Sequence, residues 1–275
     1  MAEGAIELAP GHKIGLPLAG GPVMLAAGSI GCGEARHREL ETARFGGVVV
    51  GPFTRRSRGG SPPPRLVETL GGLVRSVGLQ NRGVSAAVRR YGQLWPRLGC
   101  PVIAQVADSE FHEAAETVGR LSVADGIAGF ELLCQPEASE REVGRLLEVL
   151  LLETDLPVLV KLPLARAATL APAAIESGAV GVVVGSPPIG AGIRADRQAV
   201  NGEMFGPGIF PMMLAALLAV KALGLTGSLI ACGGIHTLQQ ARDCLRTGAD
   251  ALQLDSLVWV EPAAAVALAI GLDSG

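Results

Sequence analysis

The sequence is poor in aromatic rings, in paired cysteines and in net charge, and each shortage removes a class of protein. Aromatic residues make up 3% of the 275 residues and apolar residues 49%, so the interior is built from Ala, Val, Leu and Ile. Such a core suits buried parallel strands, which read as short aliphatic runs. The formal charge of −3 offers no basic field for nucleic acid. Cys32, Cys100, Cys134, Cys232 and Cys244 form no CxxC pair and are odd in number, which reads as reduced thiols in place of a disulfide frame or a zinc site. The four histidines have no HxxxH spacing, so no metal centre is expected. No apolar stretch nears the roughly 20 residues of a membrane span; the longest, Ile209 to Val220, stops at Lys221. The amino terminus MAEGAIELAP carries acids and lacks a basic start, unlike a secretory signal. The expectation is a cytoplasmic chain without membrane or nucleic-acid partners.

The chain does show a regular alternation of short aliphatic runs and helix-like segments. The runs are Val23 to Ala26, Val48 to Val50, Val102 to Val106, Phe130 to Leu133, Val158 to Leu162, Val180 to Val184, Leu229 to Cys232 and Ala251 to Leu254. Helical periodicity marks Phe111 to Leu121, Glu140 to Leu152, Pro211 to Leu223 and Leu238 to Thr247. Eight βα units, with no GxGxxG after the first strand, predict a single (β/α)8 TIM barrel over residues 1–275, a size that matches the about 250 residues such barrels need. Ahead of the first strand, Ile6 to Leu18 reads as a β-hairpin around Pro10 and Gly11 that plugs the barrel floor. Two connections, Gly51 to Gln80 and Gly185 to Pro211, are long for a compact domain and should rise over the C-terminal mouth, where barrel enzymes keep their sites. Arg55, Arg56 and Arg58 read as a solvated loop face or as part of an anion site, and Trp95 and Trp259 as packing residues at helix or loop surfaces.

The stretch SPPPRLVETLGGLVRSVGLQNRG (Ser61 to Gly83) resembles the signature of the class 1 dihydroorotate dehydrogenases, in which PPPR-x-x-ET leads to a GLxN-G turn. PVMLAAGSIGCG (Pro22 to Gly33), PVIAQVA (Pro101 to Ala107), LPVLVKLP (Leu156 to Pro163), GPGIFP (Gly206 to Pro211), ACGGI (Ala231 to Ile235) and GADALQL (Gly248 to Leu254) extend the likeness over nearly the whole chain. The resemblance implies an FMN oxidoreductase of pyrimidine biosynthesis that moves a hydride from dihydroorotate, or a related small molecule, to the flavin. It implies a cysteine base, here Cys134; a buried apolar thiol is the alternative reading of that residue. On the cofactor side it implies Ala26, Gly28, Gln105 and Lys161 at the ring. Gly206, Gly233 and Gly234 are at the phosphate as N–H donors, with Asp255 and Ser256 in place of the family's Gly-Thr. For the substrate it implies Arg75, Gly78, Leu79, Asn81 and Ser186. Members of the family are commonly dimers, and one branch adds an electron-transfer subunit; both assemblies stay open for this chain.

Departures gather at the mouth. Glu131 to Pro136 stand where the family has N-x-S-C-P-N, Arg75 and Ser186 stand at two further asparagines, and Ala27 at a flavin-site serine. The family's lysine after strand two aligns with Gly51, while Glu203 and Phe205 fall in a loop that normally reads GGLSG. Three readings follow: an FMN-dependent oxidoreductase, a barrel that has lost flavin chemistry and serves as a binding or partner subunit, or a flavin-free barrel enzyme for a phosphate ligand.

Overall fold

Every aliphatic run becomes a strand in the computed structural model, which describes residues 6–34 and 39–273. In chain order the elements are β1 (Val23–Leu25), β2 (Gly47–Phe53), β3 (Leu66–Thr69), β4 (Gly72–Arg75), α1 (Val84–Tyr91), β5 (Val102–Val106), α2 (Phe111–Ser122), β6 (Ile127–Leu133), α3 (Glu140–Glu153) and β7 (Val158–Pro163). They continue with α4 (Ala167–Glu176), β8 (Gly181–Ser186), β9 (Ile189–Ile193), β10 (Ala199–Phe205), α5 (Phe210–Lys221), β11 (Ser228–Cys232), α6 (Leu238–Thr247), β12 (Ala251–Leu254), α7 (Ser256–Val260) and α8 (Pro262–Asp273). Eight parallel strands close in the order β1-β12-β11-β8-β7-β6-β5-β2, so the fold is the expected TIM barrel. The connection from β1 to β2 departs from the plain repeat: among its described residues it holds only a short 3-10 turn, Thr42–Arg44.

The strands are buried on both faces, as their aliphatic composition requires. Outward residues such as Val50, Ala104 and Leu132 pack under the helices. Inward residues Val49, Ile103, Leu159, Val183, Ile230 and Ala251 form an inner layer sealed below by Leu8, Leu16 and Leu18. Those three leucines come from the N-terminal hairpin, where Glu7 pairs with Pro17 and the Leu8 and Leu18 amides donate to Leu16 and Ile6 carbonyls. Helices start where a side chain can take up free amides. Ser139 with Glu142, and Thr237 with Gln240, form capping boxes on α3 and α6, each cap worth about 1 kcal/mol. No helix among the described residues is long and apolar enough to cross a membrane.

The two long connections are not irregular. They meet above the mouth as a four-stranded antiparallel sheet, β3-β4-β10-β9, a unit the sequence reading did not foresee. In it Arg75 of β4 stands opposite Glu203 of β10, so the sheet delivers one cation and one carboxylate to the same place.

Candidate functional site

Alternation along the inward strand faces puts a polar layer directly above the aliphatic one. Gln105 follows Ile103 by two residues, Lys161 follows Leu159, and Gln253 follows Ala251; Glu131 of β6 lies opposite Gln105 in the strand pairing. These four side chains are buried and bonded to one another. Gln105 Nε2 donates to Glu131 Oε1 at 2.7 Å, Gln253 Nε2 donates to Glu131 Oε2 at 2.6 Å, and Lys161 Nζ donates to Gln253 Oε1 at 2.7 Å. Lys161 Nζ also stands 3.7 Å from Glu131 Oε1. Burial works against the Lys161 ammonium, but Cys232, Glu131 and Asp255 outweigh it, and the pKa is raised. The lysine is therefore charged and already paired within the protein.

Above this layer lies a cavity of about 230 Å³. Its wall includes Ala26, Gly28, Gln105, Lys161 and Asp255 from the expected cofactor set, and Arg75 and Leu79 from the expected substrate set. Arg75 dominates it. The guanidinium packs on two rings that meet edge to face, 4.4 Å from the Phe205 centroid and 4.5 Å from that of Trp259, with Nη2 3.6 Å from Glu203. Burial lowers the Arg75 pKa and Glu203 opposes that change. Trp259, whose indole N–H donates to the Gly28 carbonyl, is half-buried and backs the wall residues Arg75 and Phe205. Trp95 is a correction: it is buried against Phe53 with its N–H on the Cys32 carbonyl.

The rest of the expected set is arranged differently. Gly206, Gly233, Gly234 and Ser256 do not line the cavity. A Cβ at Gly206 would fall 2.5 Å from the Gly72 Cα and one at Gly234 would fall 2.3 Å from the Phe210 amide, so close backbone packing already explains both glycines. Asp255 occupies the start of α7, where its Oδ1 accepts from both the Ser256 amide and the Ser256 hydroxyl. His236 Nε2 contacts the same hydroxyl at 2.9 Å. The neighbours of Gly78 and Ser186 line the cavity, though these two residues do not. Asn81 borders a second cavity of about 510 Å³ and spends its amide on the chain, donating to Thr54 Oγ1 and the Leu79 carbonyl and accepting from the Gly83 amide.

Cys134 lies apart from the mouth. It borders a recess of about 200 Å³ with Phe111, Leu132, Val143 and Leu146, and burial pushes its thiol up to about 11. At Gly51, φ is +112° and a Cβ would lie 3.0 Å from the Gln105 carbonyl oxygen, so no side chain there can restore the family's lysine. Of the loop arginines, Arg55 pairs with Glu116 and Arg56 with Glu113, which favours the solvated-face reading. Sequence reasoning missed Glu131, Gln253 and Cys232 as site residues. A single polar residue inside an aliphatic strand is the signal that marks the first two, because buried polar groups need partners.

The family model described as "Dihydroorotate dehydrogenase" matches residues 14–274. A protein of Desulforudis audaxviator named "Dihydroorotate dehydrogenase B (NAD(+)), catalytic subunit" is 33% identical over 274 residues, covering 92% of this chain and 87% of its own. Proteins of the same name from Desulforamulus reducens and Bacteroides thetaiotaomicron are 30% and 29% identical, each over 92% of this chain and 88% and 89% of theirs.

Proposed function

Since the chain belongs to the dihydroorotate dehydrogenase family, we propose that it serves there as a flavin-free barrel, a binding or partner subunit whose mouth takes a small molecule. The observation that carries this reading is the Asp255 carboxylate seated on the Ser256 amide, where the family's cofactor phosphate would seek its donors. A carboxylate about 4 Å from a phosphate costs on the order of 4 kcal/mol per unit charge at an effective dielectric of 20, roughly a thousandfold in affinity. Two further features work against FMN: Lys161 is bonded to Gln253 and paired with Glu131, and the Arg75 guanidinium, packed on Phe205 and Trp259, stands in the cavity wall.

A second reading draws on the near-full-length family match and on Lys161 and Gly28 in the cavity wall. It is an FMN-dependent oxidoreductase acting on dihydroorotate or a related molecule with Cys134 as base, working as a homodimer or with an electron-transfer subunit, in the cytoplasm. Fluorescence titration of FMN with the purified chain separates the two. The flavin-free reading expects no saturable quenching at micromolar FMN; stoichiometric quenching overturns it in favour of the second.

A further inference from the structure

We propose that Asp255 is a general base of the mouth cavity: Ser256 and His236 hold its Oδ1, and its Oδ2 takes a proton from a compact carbon acid, a ligand whose C–H is made acidic by a polarised double bond. The proposal goes beyond the flavin-free reading and rests on it, because the cavity must be open to the substrate.

Hydrogen bonding orients the carboxylate. Asp255 Oδ1 accepts from the Ser256 amide and, at 3.0 Å, from the Ser256 hydroxyl. A hydroxyl has one proton to give, and here it goes to Asp255, so at the 2.9 Å contact it is the His236 Nε2–H that donates to Ser256 Oγ. That order sets the imidazole tautomer and holds the hydroxyl toward the carboxylate. His236 is itself anchored, its amide donating to Gln240 Oε1. Asp255 Oδ2 has no hydrogen-bond or ion-pair partner among the described residues. It is not one of the sealed polar atoms that lack a partner, which are Arg75 Nε and Ser186 Oγ, so it meets open space. Asp255 lies in the cavity wall, and that open space is the mouth cavity. A base oriented by one group that a further group fixes is the arrangement acid–base catalysis needs.

The rest of the cavity suits the step. Its lining holds two cations, Arg75 and Lys161, and two carboxylates, Glu203 and Asp255. Glu203 is paired with Arg75 at 3.6 Å, which leaves Asp255 as the unpaired carboxylate of the wall. The titratable groups on which its charge acts are Arg75, Lys161, Cys232 and His236. Burial pushes the Cys232 thiol up to about 12, so it is no rival base, and burial lowers the His236 pKa, which favours the neutral imidazole. Removing a proton from carbon leaves an anion, and the cations in the same wall stabilise charge of that sign. At about 230 Å³ the space falls below the roughly 300 Å³ where sites for drug-sized ligands begin, which limits the substrate to a compact molecule. Val77, Leu79, Pro52 and Phe205 supply apolar wall for it.

The test uses the purified full chain and nitrobenzisoxazole, a compact carbon acid. Asp255 Oδ2 takes the C–H proton, the C–H electron pair completes a nitrile, and the N–O bond breaks with its pair staying on the phenoxide oxygen. The base then returns its proton to water, and the cyanonitrophenolate is read by its absorbance. A positioned base contributes about 10² to 10⁴-fold, so saturable turnover at least about a hundredfold faster than with an equal concentration of acetate is expected. Asp255→Asn should return the rate to the acetate level. A wild-type rate no faster than acetate, or an Asp255→Asn rate equal to wild type, overturns the proposal. Ser256→Ala and His236→Gln should each lower kcat at least about tenfold with KM unchanged, and Ser256→Thr should restore it; an unchanged kcat in both overturns the positioning role of the two residues. If Asp255→Asn does not fold, carbodiimide labelling of the wild type decides, and activity that survives full labelling of Asp255 overturns the proposal. The FMN titration on the same sample reports separately on the flavin-free reading, so the two failures are distinguishable.

Discussion

The Lys161 ammonium and the Glu131 carboxylate face each other at 3.7 Å inside the barrel, with side chains 6% and 0% exposed. Removing one partner of such a pair strands the other in a poor dielectric and costs about 3 to 5 kcal/mol, whereas replacing both by apolar groups is often neutral. Glu131→Leu should lose about 3 kcal/mol or more in urea unfolding, and Glu131→Leu with Lys161→Met should recover most of it. A single variant that loses less than about 1 kcal/mol would show that the pair is not closed in solution.

Asp255 is the second handle. Asp255→Gly removes the carboxylate from the Ser256 amide and restores the family's glycine. FMN affinity should rise at least about tenfold, read by flavin fluorescence quenching; an unchanged affinity would mean that Asp255 is not what keeps phosphate out.

Arg75→Ala should strip the guanidinium from the faces of Phe205 and Trp259. Each ring contact to a partly desolvated guanidinium contributes about 1 to 2 kcal/mol, so a stability loss of about 2 kcal/mol is expected. Trp259 emission should also move to the red as water reaches the indole. Trp95, packed against Phe53, supplies a constant background. No spectral change would contradict the stacked arrangement.

Burial pushes the thiols of Cys32, Cys100, Cys232 and Cys244 up to about 12 and that of Cys134 up to about 11, against an ordinary value of about 8.5. The folded state holds these protons more tightly than the unfolded one, so their contribution is fully present below about pH 8.5 and is lost as pH rises through 11 to 12. Unfolding free energy should therefore fall steadily above about pH 9, and Cys134 should react with iodoacetamide at pH 8 about a hundredfold slower than a free thiol. Rapid labelling of Cys134 would instead point to an activated base.

The barrel was legible because each strand is an aliphatic run and most have glycine or proline at one end or both, and the floor hairpin because Pro10 and Gly11 separate two short β-like pieces. The sheet over the mouth was not: IGAGI and AVNGEMF carry glycines and no sustained alternation, so their pairing comes from the geometry of the two loops. Lys161, Gln105, Arg75 and Asp255 were placed at the mouth by resemblance, and the cavity wall holds all four. The ion pair of Lys161 with Glu131, the stack of Arg75 on Trp259 and the turning of Cys134 toward α2 and α3 are tertiary relationships between distant residues. No local pattern encodes them.

The visible absorbance spectrum of the intact protein, taken with its native mass after expression in a host replete with riboflavin, shows whether the barrel mouth retains a flavin. A flavin-free barrel is colourless, with the mass of the polypeptide alone or of its assemblies. A yellow protein carrying one FMN per chain would contradict it.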